Sequence, residues 1–449
     1  MQKICYNIFM IYLDHAAATP VSKKALKAME PYFLTDFFNP SAAYLPAKKV
    51  AADYEAAKGV IAHVIGAKAS DLVITAGATE ANNLALSAIK RIGIAFSSTG
   101  LRFSSTSCPG TPTEPSLRDE PVGSVRNIRV ENPNQTFTFQ KKQSPILYLA
   151  TEHASVREAA RNLGGEEIKV LPNGLIDLDD LKAKITDETM LISVALANNE
   201  IGVIQPLAEI AGMIRDVRFD RLKRGVKRPL YLHSDASQAL NLLDINVARL
   251  GVDLLTLNSA KIYGPKGVGA LYVSHEVKLA PITVGGGQEK GLRSGTENVP
   301  GVIGFAEAVN EAKEHLNGNR KKYAKMRKIL LDELQGYELV NKKHTLDNFI
   351  VLCYNGIDAE RLIFLLEDMG VYVSTGAACA ASKGEKSHVL KAIGLSDAEI
   401  AGSLRLTLGE TNTEAQMHEA AKIINQVVAQ EYDRLRVMNW PSEDQGVGR

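Results

Sequence analysis

Lys261 stands in the run Asn258-Ser259-Ala260-Lys261-Ile262-Tyr263-Gly264-Pro265-Lys266-Gly267, directly after the apolar stretch Leu254–Leu257. A lysine at a strand end can form a Schiff base with a carbonyl compound if its amine is neutral, which partial burial favours. Upstream, His233-Ser234-Asp235-Ala236-Ser237-Gln238 follows Leu230–Leu232. An ionised Asp235 there can keep a pyridine nitrogen protonated and so make its ring an electron sink. Its plainer use is to cap a helix. Thr75-Ala76-Gly77-Ala78-Thr79-Glu80 joins a strand to a helix, where converging backbone N–H groups and the helix dipole suit a phosphate. The same spacing also suits an ordinary strand-to-helix turn capped by threonine.

Three further loops carry polar clusters: Thr151-Glu152-His153, Asn198-Asn199-Glu200, and Arg293-Ser294-Gly295-Thr296 after Gly285-Gly286-Gly287. Each alone is ordinary loop chemistry. Together, Thr79, His153, Asn199, Asp235 and Lys261 are expected on one rim of one sheet, where open α/β sheets collect ligands. Cys379 lies in Ser374-Thr375-Gly376-Ala377-Ala378-Cys379-Ala380-Ala381-Ser382-Lys383-Gly384-Glu385-Lys386-Ser387-His388. That small and polar company predicts a flexible loop exposing a reactive thiolate, whereas Cys353, within an apolar run, reads as structural.

The elements that must position these groups follow from periodicity. Short apolar runs at Leu72–Thr75, Ile146–Ala150, Ile168–Leu171, Met190–Leu196, Leu230–Ser234, Leu254–Leu257 and Val268–Val273 alternate with helical patterns such as Glu80–Lys90 and Leu207–Val217. The pattern predicts an α/β fold with a mostly parallel, helix-covered, seven-stranded sheet. Residues 93–144, rich in Ser, Thr, Pro, Asn and Gln, break it and read as a flexible insertion containing Cys108. A long helix over Phe305–Leu334 leads to a smaller αβ region: strand Asn348–Cys353, helix Ala359–Met369, strands Val371–Ser374 and Leu404–Leu408, and helix Glu414–Leu435. Met10–Leu13 is strand-like and the tail from Pro441 reads as frayed. The expected division is a large domain over 10–275, and over 276–440 the rest of its edge with the small domain.

Composition narrows the classes. With 449 residues, 45% hydrophobic, 23% charged and a net charge of +1, the chain reads as a soluble protein of two or three domains with no field for nucleic acid or an anionic membrane. No apolar run approaches the roughly 18 residues of a membrane helix, and the polar start Met1–Asn7 is a poor signal peptide. A cytoplasmic location is expected. The four cysteines, Cys5, Cys108, Cys353 and Cys379, are scattered without metal-ligand spacing, so no metal site is expected.

The chain resembles the cysteine desulfurases, fold-type I pyridoxal-phosphate (PLP) enzymes of the class-V aminotransferase group. The resemblance runs through Tyr12-Leu13-Asp14-His15-Ala16-Ala17-Ala18-Thr19-Pro20, Ala78-Thr79-Glu80, Thr151-Glu152-His153, Asn198-Asn199-Glu200-Ile201-Gly202, His233–Gln238, Lys261–Gly267, Arg293–Thr296 and Leu404-Arg405-Leu406. It covers almost everything except 93–144 and the termini. It implies that Lys261 is the Schiff-base lysine, Asp235 the pyridinium partner, and His153 an imidazole stacked on the ring and moving protons. It also implies that Gln238 and Asn199 bond the ring's phenolic oxygen, that Ala78, Thr79, Asn258 and Ser259 hold the phosphate, and that Thr296 reaches the phosphate of the neighbouring subunit in a homodimer. Arg405, with Asn39 and Asn199, would bind the substrate, the guanidinium clamping its carboxylate.

By the same resemblance Cys379 would take sulfur from L-cysteine as a persulfide, leave alanine, and pass the sulfur to acceptor proteins such as an iron–sulfur scaffold or tRNA-thiolation proteins. The chain departs from the family where Asn258-Ser259-Ala260-Lys261 replaces the usual Ser-Gly-His-Lys, and where Asn39-Pro40-Ser41 lacks the usual following His. Selenocysteine lyase and cysteine-sulfinate desulfinase share the scaffold, and a non-enzymatic scaffold partner is the remaining alternative.

Overall fold

The computed structural model describes residues 10–86, 144–279, 281, 283–376 and 386–435. The 93–144 insertion, apart from Ser144, and Cys5, Cys108 and Cys379 lie outside the described residues. In chain order the strands are β1 (Ile11–Tyr12), β2 (Leu72–Thr75), β3 (Ile146–Leu149), β4 (Glu166–Ile168), β5 (Leu191–Ser193), β6 (Tyr231–Asp235), β7 (Leu254–Asn258), β8 (Gly269–Val273), β9 (Glu338–Leu339), β10 (Phe349–Cys353), β11 (Val371–Tyr372), β12 (Ser374–Thr375) and β13 (Ser403–Thr407).

Seven of these form one sheet in the order β2-β8-β7-β6-β5-β3-β4. All neighbours pair in parallel except at β8, which runs against both β2 and β7. Because β8 is reversed between them, β2 and β7 point the same way, so β2, β3, β5, β6 and β7 all end on one rim. The central strands are buried along almost their whole length, as a sheet covered on both faces requires. One continuous core joins Leu149, Ile192, Leu232, Leu255 and Leu257 to Phe305 of the helix Val299–Glu333 and to Tyr54 and Ile61 of the helix Leu45–Val64.

A second, four-stranded sheet runs β12-β13-β10-β9, all antiparallel. The start of the chain belongs beside it: β1 pairs with β11, and Asp14 bridges to Thr407. The segment 10–20 thereby spans from the smaller sheet to the rim of the larger one.

Most strands lie where the apolar runs place them, with one instructive shift. The run Ile168–Leu171 marks β4 too late, for the strand is Glu166–Ile168. It is the sheet's edge, and its charges face Arg161 and Lys184. Charged residues on an edge strand prevent further pairing. The run Val371–Ser374 is broken at Val373 into β11 and β12, which join different sheets.

Candidate active site

Asp235 is the last residue of β6, and its carboxylate is 7% exposed. Its Oδ1 accepts from the Ser237 N–H at 2.9 Å and its Oδ2 from Asn82 Nδ2 at 2.7 Å. No described lysine, arginine or histidine forms an ion pair with it. Asn82 is itself fully buried and also donates to Ser155 Oγ at 2.9 Å, which in turn meets His153 Nδ1 at 2.9 Å.

His153 caps the helix Ala154–Asn162 by accepting the Ser155 N–H at its Nδ1, 3.1 Å away. A ring nitrogen that accepts a backbone N–H must carry its lone pair, so the proton of the neutral imidazole is on Nε2. Burial lowers its pKa, with the nearby Lys261 charge adding to the effect and Asp235 opposing it.

Lys261 ends the short helical turn Ser259–Lys261 that follows β7. Its amine donates to the carbonyls of Ala16, at 2.8 Å, and Ala17, at 2.5 Å. Gln238 Nε2 donates to the same Ala16 carbonyl at 3.0 Å. After Lys261 the chain turns at Tyr263, whose φ of 65° costs a non-glycine residue about 1–2 kcal/mol. The turn is held by the Tyr263 N–H donating to Thr19 Oγ1 at 2.9 Å and by the Tyr263 hydroxyl accepting from the Glu410 N–H at 2.6 Å.

Arg405, in the middle of β13, is buried among polar groups. Its Nη2 pairs with Asp14 at 2.6 Å, and its Nη1 donates to the carbonyls of Asn199, at 2.9 Å, and Gly376, at 3.3 Å, while Nε has no partner. The acid for this arginine lies 391 residues away in sequence.

The structure therefore joins Asp235 to His153 through Asn82 and Ser155, Lys261 to Gln238 through Ala16, and Arg405 to Asn199. Ala78 is buried at the start of the helix after β2, and Thr79 beside it is exposed. Gly269 of β8 packs so closely on Gly77 that an added Cβ would come within 2.8 Å of its backbone. Asn258 Oδ1 accepts from the Ala260 N–H, and the buried Ser259 Oγ has no partner. Thr296 is exposed. Asn39 is also exposed; its carbonyl caps the Ser41 N–H, and no contact joins it to the groups above.

Three groups escaped the sequence reading. Asn82, with Asn83 beside it, stands between the apolar positions Ala81 and Leu84–Leu86, a polar residue at a buried helical position, and that was its only signal. Glu152 is fully buried, with Oε1 bonded to Ser193 Oγ at 3.4 Å and Oε2 unpartnered. Burial, followed by the charge of Asp235, pushes it up to about 8. His233 sits between Ser193 Oγ, at 2.9 Å, and Thr256 Oγ1, at 3.0 Å. Burial pushes it down to about 4. Both shifts favour the neutral forms near pH 7.

Cys353 is buried in β10, and burial raises its thiol to about 11, which suits a packing role. A surface hollow of about 660 Å³ lies elsewhere, along the helix Leu207–Lys223. Its charges pair with one another, as Arg224 does with Asp187 and Asp220.

The aminotransferase class-V family model matches residues 11–96 and 130–419, and the chain belongs to that family. The break in the match falls inside the segment read as an insertion. Cysteine desulfurase IscS 1 of Archaeoglobus fulgidus is 34% identical over 439 residues, covering 96% of this chain and 99% of the relative. A solved NifS-like protein superposes with a TM-score of 0.75 at 27% identity, over 94% of this chain and all of that one. A second solved structure, SspA in complex with cysteine, gives 0.67 at 28% identity, over 89% and 98%. Within the family this chain is thus a PLP-dependent cysteine desulfurase.

The residues present fit that cofactor. A buried carboxylate with no cationic partner suits a protonated pyridine nitrogen. A lysine amine at the strand end, donating to the carbonyls of Ala16 and Ala17, suits a Schiff base, and the unpartnered Ser259 hydroxyl suits a phosphate oxygen.

Proposed function

We propose that the chain converts L-cysteine to L-alanine with the sulfur retained as a persulfide on Cys379, and that the sulfur goes to iron–sulfur cluster assembly, to tRNA thiolation, or to both. The observation that carries the assignment of the cofactor's place is the buried Asp235 carboxylate, which has two N–H donors and, among the described residues, no ion-pair partner.

Lys261 would hold PLP, Asp235 would face its ring nitrogen, Gln238 and Asn199 its phenolic oxygen, and Ala78, Thr79, Asn258 and Ser259 its phosphate. When bound, the cofactor supplies an electron sink that stabilises negative charge at the substrate carbon. His153, kept neutral by burial, has its Nε2 proton available for transfer, while Ser155 and Asn82 fix the ring by its other nitrogen. Arg405 would take the substrate carboxylate, exchanging Asp14 for it, with Asn199 and Asn39 completing the binding groups. The Cys379 thiolate attacks the substrate sulfur: the substrate C–S bond breaks, an S–S bond forms, and the carbon receives a proton to give alanine.

Thr296 would serve the phosphate of a second copy in a homodimer, and its exposure is consistent with that. The exposed Phe37 and Tyr44, both packed on the half-buried Phe38 with ring centroids 4.7 and 5.9 Å away, are apolar surface that a second copy could cover. The large domain would span 10–275 and the remainder 276–440. No helix among the described residues is long and apolar enough to cross a membrane, and a cytoplasmic site of action is part of the proposal.

The test compares alanine release from cysteine, selenocysteine and cysteine sulfinate by the purified holoenzyme and by Cys379→Ser. Preference for cysteine, with sulfide release lost in Cys379→Ser, is expected. Preference for a rival substrate, or wild-type sulfide release without Cys379, contradicts the proposal.

A further inference from the structure

β2 is an end strand of the seven-stranded sheet, paired only with β8, and it leads into the turn 75–79 read as the phosphate site. A loop carrying Glu289, Lys290 and Arg293 is bonded to this strand and turn at three places. Lys290 Nζ donates to the Ser70 carbonyl at 2.6 Å, the Ile74 N–H donates to Glu289 Oε2 at 2.8 Å, and Arg293 Nε donates to Glu80 Oε1 at 3.0 Å. The other oxygen of Glu80 accepts the Ala76 N–H at 2.5 Å. The N–H groups of Ile74 and Ala76, on either side of Thr75, are thus both taken by carboxylates, one from the loop and one paired with it.

The loop is itself fixed. Glu289 Oε1 accepts from the Tyr54 hydroxyl at 2.6 Å, and Lys58 Nζ donates to both Glu289 oxygens, at 3.1 and 3.0 Å. The Lys58 and Glu289 side chains are each 5% exposed. A buried ion pair must keep both partners, so the loop is anchored to the helix Leu45–Val64 as well as to β2. Glu289 and Lys290 have φ of 48° and 60°, left-handed backbone that a non-glycine residue keeps only where its surroundings impose it. Glu80 is next in sequence to Thr79, where an unpaired carboxylate would repel a phosphate, and Arg293 offsets that charge.

We infer that Glu289 and Arg293 are positioning residues for the phosphate-holding turn: Glu289 fixes the strand that enters it, and Arg293 orients and neutralises Glu80, which holds the turn's Ala76 N–H. This rests on the reading of Ala78 and Thr79 as phosphate contacts. Neither side chain is assigned a contact with the cofactor, so losing either should weaken the hold on the phosphate and spare the rest of the cofactor's binding.

In the experiment, full-length holoenzyme is stripped of cofactor and titrated, by the absorbance of the lysine-bound form, with PLP and with pyridoxal, which lacks the phosphate. In Arg293→Met and in Glu289→Gln the Kd for PLP should rise roughly tenfold while that for pyridoxal stays within about twofold. Arg293→Lys, which keeps a cation for Glu80, should recover most of the loss. Arg293→Met, at a pair 26% and 25% exposed, decides the matter if Glu289→Gln does not fold. Arg293→Met should cost a similar factor in a Thr296→Val background; no further loss there means that the loop acts through Thr296 and overturns the inference. Unchanged PLP affinity, or equal losses for PLP and pyridoxal, also overturns it. A wild-type ratio of PLP to pyridoxal affinity in Thr79→Val overturns the reading beneath it instead.

Discussion

Asp235 and Arg405 are both buried charges at the same site, and the protein treats them oppositely. Asp235 has two N–H donors and, among the described residues, no ion-pair partner; Arg405 has Asp14 at 2.6 Å and two carbonyls. An uncompensated buried charge is expensive, so Asp235 marks a place where a bound group must bring the opposite charge. On the proposed reading, Arg405 marks a place where an incoming carboxylate would exchange with the one already there. The first suits a resident cofactor and the second a substrate that arrives and leaves.

Each side of this comparison can be broken. The largest effect belongs to Lys261→Ala, for which steady-state assays and absorbance should show activity down by at least ~10³-fold and the lysine-bound cofactor band gone. Asp235→Asn, which keeps the size but removes the charge, should lower kcat by about 10²–10³-fold with little effect on the fold. Arg405→Lys loses the bidentate fork, and its KM for cysteine should rise roughly tenfold with kcat changed far less. If KM stays put, Arg405 serves only Asp14. Asn82→Ala unties Asp235 from Ser155 and leaves buried acceptors unpaired. Denaturant unfolding should report a loss of about 1–3 kcal/mol.

The last expected effect is on pH dependence. Glu152 is held up at about 8 in the fold and titrates near 4.5 when unfolded, so between these values the folded state holds the extra proton and stability falls as pH rises. Glu152→Gln should therefore gain stability relative to wild type from about pH 5 to 8, by up to about 1.4 kcal/mol per unit. Parallel curves would mean that Glu152 is ionised. His233, lowered to about 4 by burial, acts in the opposite sense: its contribution is complete above about 6.5 and is lost as pH falls towards 4.

The sheet was legible because its strands are buried on both faces and read as apolar runs, and the rim followed from where those runs end. The edge strand β4 was misplaced because its own residues, Glu166 and Glu167, carry charge, while the neighbouring apolar run turns away from the sheet. Lys261, Asp235 and His153 could be picked out by type and place. Their supports could not: Asn82 is one of several polar residues in the first turns of its helix, Asp14 finds Arg405 across almost the whole chain, and Glu152 and His233 look like any polar residues near strand ends. Long-range pairs of this kind leave no local periodicity.

The account turns on Asp235 and the charge it waits for. The most direct measurement is the ¹⁵N resonance of the pyridine nitrogen in holoenzyme reconstituted with ¹⁵N-labelled PLP. A protonated nitrogen in wild type that loses its proton in Asp235→Asn is the predicted result; an unprotonated nitrogen in wild type would contradict the account.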